Sequence, residues 1–139
     1  MLTRVLLALG LVIGVVAGAA AEDTKVIALG ITDHAVTQDE LAKGDALPVP
    51  RFNTPAVAYV LASDVKKGDS VEISLNNNGK SLMHNTETLA EDKAKFMLLV
   101  GKRGVPAGGW PEGDYSTTIK IARDGKTLIE KTSEPVKFE

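Results

Sequence analysis

The sequence contains no cysteine, a single tryptophan, and only two tyrosines and three phenylalanines in 139 residues. Without a thiol there is no disulfide staple, no thiol nucleophile and no site for lipid attachment, so thiol redox chemistry is excluded. The chain has no long basic run and no Lys/Arg stripe, and its formal net charge is −2. That balance argues against nucleic acid as a partner and against a basic helix lying on a membrane. There is no G-x-S-x-G elbow, P-loop, H-E-x-x-H pair or dinucleotide fingerprint, which removes the common enzyme classes that carry a local motif. The expectation is a protein that is not an enzyme and holds no cofactor.

What is present begins with an export signal. Residues 1–21 have a positive start at Arg4, an apolar run over 5–16 (VLLALGLVIGVV) and small residues at Ala19, Ala20 and Ala21, the layout of a cleavable signal peptide. A spanning helix needs about 20 apolar residues, whereas this stretch is shorter and carries Gly10, Gly14 and Gly18. Glu22 is therefore the expected mature N-terminus, the location periplasmic or secreted, and no permanent membrane span is expected. The mature chain, 139 residues less 21, is 118 residues long, and loss of Arg4 takes its charge to −3. That length fits one domain, residues 22–139, which buries roughly two-thirds of its unfolded surface without a metal or disulfide.

Alternating apolar and polar residues dominate beyond residue 25, and turn signals interrupt them at short intervals. Strands are expected over 26–32, 56–62, 71–75, 81–88, 95–100, 115–122 and 127–132, with a short closing piece at 136–138. The 56–62 stretch (AVAYVLA) is apolar on both faces and reads as central. The 81–88 stretch is polar and reads as a sheet edge. Lys67-Gly68-Asp69 is a turn signal before 71–75, and Asn76-Asn77-Asn78-Gly79 and Arg123-Asp124-Gly125-Lys126 are hairpin turn signals. About seven main strands with short connections predict an all-β, two-layer sandwich.

Two segments break the rhythm. In the first, 33–54, Thr37-x-x-Glu40 is a capping box flanked by Val36 and Leu41 at the staple positions, with Gly44 able to end a helix. This predicts a short helical insertion after the first strand. The second, 101–114 (GKRGVPAGGWPEGD), has five Gly and two Pro in 14 residues and is too long and too broken for a regular element.

Gly113-x-Tyr115, placed just before an alternating strand that ends in an Asp-Gly hairpin, resembles the penultimate-strand signature of immunoglobulin-like sandwiches. The run from Trp110 to Tyr115 with the Arg123-Asp124-Gly125-Lys126 turn is similar to the last third of exported bacterial immunoglobulin-like or fibronectin-type modules. The resemblance is specific over 110–130 and only rhythmic over 25–100. It implies an immunoglobulin-like topology, a Tyr115 hydroxyl bonded back to the backbone, and Thr117 where relatives place an inter-sheet cysteine. Such modules mostly bind, adhere or assist.

Candidate functional residues are few. His34 and His84 have no orienting partner legible in sequence. His84 with Met83 and Met97 is a conceivable soft copper set, but adjacent strand residues point to opposite faces, so no metal residue is assigned. The carboxylates Asp33, Asp39, Glu40 and Asp45, and Glu87, Glu91 and Asp92, read as solvated loops and caps rather than as a glycosidase pair or a calcium loop. The 101–114 loop carries the strongest signal. Lys102, Arg103, Trp110 and Asp114 are assigned as binding residues because cations and a large amphipathic ring are enriched at contact hot spots; the competing reading has Trp110 plugging the end of the sandwich. The expected function is an exported binding or accessory module that contacts a protein or envelope component through this loop and a sheet edge. An inhibitor of an exported hydrolase and a small copper-handling protein are the alternatives.

Overall fold

The computed structural model describes residues 24–44, 46–102 and 104–139, with Lys102 described by its backbone alone. The proposed signal peptide, Glu22, Asp45 and Arg103 lie outside the described residues.

Eight strands form two antiparallel sheets. The first sheet runs in the order β1 (Lys25–Thr32), β2 (Ala56–Val65), β5 (Lys93–Lys102). The second runs β4 (Lys80–Thr88), β3 (Ser70–Asn77), β6 (Asp114–Arg123), β7 (Lys126–Thr132), with β8 (Val136–Lys137) also pairing β6. β3 holds one side of β6 over 115–122, so β7 and β8 share the other side in succession. Ser133 joins them across the gap: its N–H donates to Thr117 C=O (2.8 Å), and its Oγ accepts from Thr117 N–H (2.9 Å).

Period-2 alternation sorts the side chains into layers. Ala58, Val60 and Ala62 of β2, Phe96 and Leu98 of β5, Val71, Ile73 and Leu75 of β3, and Ile119 and Ile121 of β6 share one buried core. Over the middle of β2 and β5 the odd residues face outward instead. There Tyr59, Leu61, Met97 and Leu99 meet Val36 and Leu41 in a second cluster. This is why residues 56–62 are apolar on both faces. A helix, α1 (Gln38–Lys43), covers the outer side of the three-stranded sheet.

The α1 cap is built as a reciprocal pair: Glu40 N–H donates to Thr37 Oγ1 (3.2 Å), and Thr37 N–H donates to Glu40 Oε1 (3.1 Å). Two hairpins close on residues with positive φ, Asn78-Gly79 (50° and 81°) between β3 and β4, and Asp124-Gly125 (53° and 76°) between β6 and β7. Positive φ at both central positions gives the turn whose twist matches the flanking strands.

Strand direction gives the domain two poles. One holds Thr24, the 66–69 turn and Arg123. Here Asp69, fully buried, receives both Arg123 Nε (2.9 Å) and a second guanidinium nitrogen (2.8 Å), and accepts from Lys66 N–H (2.9 Å). Arg123 also donates to Thr24 Oγ1 (3.0 Å), which in turn donates to Asp64 C=O (2.7 Å). The other pole holds Trp110, Tyr115 and Phe138. Tyr115 and Phe138 stack at 3.8 Å, and Trp110 meets both edge-on.

Thr117, also fully buried, ties the two sheets together by donating its Oγ1 hydrogen to Gly30 C=O in β1 (2.9 Å). Thr117→Val keeps the volume but leaves that carbonyl without its donor. The expected cost is about 1–2 kcal/mol, measured as a lower denaturant midpoint with an unchanged slope.

Candidate functional site

The 101–114 loop folds down onto the end of the sandwich. Trp110 N–H donates to Phe52 C=O (2.9 Å), Trp110 Nε1–H to Thr54 C=O (2.8 Å), and Gly109 N–H to Pro106 C=O (2.8 Å). From the other side, Tyr115 OH donates to Pro111 C=O (2.5 Å) and Asn77 Nδ2 to Glu112 C=O (3.2 Å). Burial pushes the Tyr115 phenol above its ordinary pKa, against a smaller opposing pull from Asn77. These bonds hold residues 109–112 against the end of the sandwich.

Trp110 is 6 % exposed. It is the plug between the aromatic pair and the loop, and only its rim reaches the surface. That rim lines an apolar cavity of about 520 Å³ with Leu82, Met83, Val100, Gly101, Pro106 and Pro111. Lys102 closes β5 opposite Ala56. Asp114 opens β6 at the same pole, but its carboxylate is taken by Lys137 Nζ (2.9 Å), which holds the lysine above its usual pKa. Of the four residues assigned from sequence, Trp110 thus contributes a cavity wall and Asp114 an ion pair. Lys102 contributes its backbone position, and Arg103 lies outside the described residues.

Sequence reasoning missed Leu82, which lines the cavity, and the exposed apolar side chains Phe52 and Val105. Leu82 is 44 % exposed, Phe52 50 % and Val105 39 %. Leu82 is the residue skipped where β4 slips against β3, between Met83↔Leu75 and Ser81↔Asn76. The available signal was an unpaired leucine in an otherwise polar strand (KSLMHNTET).

Among the described residues, β4 lies at the edge of its sheet and pairs with β3 alone. Met83, Asn85 and Glu87 stand opposite Leu75, Ile73 and Val71 and so share the inner face, while His84 and Thr86 stand opposite Ser74 and Glu72 on the outer one. Asn85 crosses to the other sheet and donates to Leu99 C=O (3.1 Å).

This register also disperses the soft copper set. Met83 faces inward, His84 faces outward, and Met97 lies on the far face of the other sheet. Among the described residues no group of three His, Asp or Glu is arranged to hold a metal ion, and no helix is long and apolar enough to cross a membrane.

His34 does have partners that the sequence did not reveal. Its Nδ1 is 2.9 Å from Asp33 Oδ1 and its Nε2 is 2.9 Å from Glu40 Oε2. The hydrogen bonds to Asp33 and then Glu40 raise its pKa above the ordinary 6.5, and the same contact with His34 holds Glu40 below its usual range. Both partners of the imidazole are carboxylates. Among known proteins, no family model and no curated protein matches this chain.

Proposed function

We propose that the chain is an exported, non-enzymatic binding module of immunoglobulin-like topology. Its contact surface is the β4 edge together with the apolar cavity that the 101–114 loop builds beside it. The topology is supported by the split of strands 1, 2 and 5 against 3, 4, 6 and 7. It is supported also by the Tyr115 corner bonded to Pro111 and by buried Thr117 two residues on. One departure is that the tryptophan stands in the loop before β6 and not on β3.

The observation that carries the binding reading is how little charge β4 bears along its length. Edge strands are normally blunted by charge, proline, bulges or cover. β1 has a bulge between Val26 and Ala28. β5 carries Lys93 and Lys95, with Asn85 on its Leu99 carbonyl. β7 carries Lys126, Glu130 and Lys131 in seven residues. β4 is nine residues long, has no proline, and places its two charges, Lys80 and Glu87, near its ends; its one register break, at Leu82, falls beside the apolar cavity. Its free backbone groups suit an added strand of a partner, and the cavity beside Leu82 suits an apolar side chain of that strand.

A photo-cross-linker at Leu82 is expected to capture a partner in the intact envelope, while one at Glu130 on the opposite edge captures none. Leu82→Lys combined with Thr86→Lys should reduce capture at least tenfold and leave Tm nearly unchanged, because both positions are on the surface. Equal capture from positions 82 and 130 would refute the proposal.

A further inference from the structure

The imidazole of His34 is bracketed by carboxylate oxygens at 2.9 Å on both ring nitrogens. A neutral imidazole carries one N–H, so one of its nitrogens would turn a lone pair toward an anionic oxygen. Only the imidazolium donates to both. One of these anions is no ordinary surface group: Glu40 is the N3 residue of the α1 capping box, and its other oxygen accepts from Thr37 N–H. The charge on His34 is therefore wired to the start of a six-residue helix. Helices so short hold their shape by caps and packing, not by propensity.

We propose that His34 is a proton-operated latch on α1: as an imidazolium it fastens the helix over the outer face of the three-stranded sheet, and its deprotonation loosens that cover. What the helix covers is apolar. Leu41 packs with Val36 and Leu61 into a cluster that Ala28, Leu47, Tyr59, Met97 and Leu99 complete. A cavity of about 390 Å³ already opens between α1 and this face, lined by Leu29, Leu41, Leu47 and Tyr59 among others.

The charges acting on the imidazole are Asp33 from the turn after β1 and Glu40 from the helix. Asp39 and Lys43 are also on the helix. The titratable group on the sheet beneath is Tyr59, kept neutral by burial, which raises its phenol above the usual value. Because the folded pKa of His34 is raised, its contribution is complete below about pH 6.5. It is lost as pH rises through the folded value. The cover is therefore tight in acid and loose in alkali.

Amide exchange of the full mature chain tests this at pH 5.5 and 8.5, corrected for the intrinsic pH dependence of exchange. The Leu41 and Gly44 amides, bonded to Thr37 and Leu41 carbonyls, are expected to lose protection about three- to fivefold at the higher pH, the size expected of a half-exposed ion pair. Amides of the core strand β6 serve as the baseline. His34→Gln should abolish the difference. Glu40→Gln, which retains a capping-box residue, should lower the titration midpoint of His34 followed by NMR. Equal helix protection at both pH values in the parent protein would overturn the proposal. So would a pH dependence that persists in His34→Gln, or a His34 midpoint no higher than that of an unstructured reference peptide.

Discussion

Replacing Asp69 by Asn is expected to destabilise the fold by about 3–5 kcal/mol, well above the cost of Thr117→Val. The carboxylate is fully buried, and the guanidinium beside it is 19 % exposed. Removing the negative charge takes the ionic partner away from a guanidinium that is itself largely buried. It also weakens the turn, since Asp69 Oδ2 accepts from Lys66 N–H. In a domain of this length a loss of that size corresponds to a fall in Tm on the order of 10–20 °C. The pair should also set the acid limit of stability. Burial by itself would raise the pKa of Asp69, but Arg123 and the Lys66 N–H outweigh it, and the net shift is downward. A depressed folded pKa contributes stability that is present above the unfolded value of about 3.9 and is lost as pH falls through the folded one. Thermal melts between pH 6 and pH 2 should therefore show a steep decline for the parent protein below about pH 4. The decline should be shallower for Asp69→Asn, which starts lower. An Asn variant within 1 °C of the parent at neutral pH would show that the pair contributes nothing.

Trp110→Ala should cost about 3–5 kcal/mol, the range for removing a large buried aromatic side chain. The indole packs edge-on against the stacked pair Tyr115 and Phe138, and its Nε1–H satisfies Thr54 C=O. Trp110→Phe retains most of the apolar volume but leaves that carbonyl without its donor, and should cost less. A partner-binding role confined to the ring would instead leave unfolding unchanged and abolish capture. Because the same rim lines the cavity, Trp110→Ala is expected to weaken both. The surface variant Leu82→Lys separates the two effects, since it alters the cavity mouth and spares the plug.

Much of the layered architecture is legible in the linear sequence, because alternation and turn chemistry are local. The expected strands match the observed ones to within a few residues at each end, and Asn78-Gly79 and Asp124-Gly125 adopt the positive φ their composition suggests. The polar 81–88 stretch does lie at an edge. Interactions between residues far apart in sequence were not legible. The bond from Thr117 to Gly30 spans 87 positions, and that from Arg123 to Asp69 spans 54. No local pattern encodes which distant strand a side chain will face. Asp69 sits in a Lys-Gly-Asp turn signal that says nothing of its burial, and it proves to be a fully buried charge. The candidate site shows the same division. Composition located the Gly/Pro-rich loop but not its neighbours, because Leu82 and Val100 come beside Trp110 only once β4 and β5 are in place.

The opposed poles have a mechanical consequence. Thr24 is held at one end by Arg123, and Phe138 at the other by Tyr115 and Trp110. If one end were tethered and the other loaded by a bound partner, tension would run along the strands. Antiparallel hydrogen bonds lie across the strands, so the β1–β2 ladder would be sheared with its bonds loaded together, not peeled open one by one. The ion pair at Asp69 and the aromatic stack at Tyr115 would then act as the two grips through which force enters and leaves the domain.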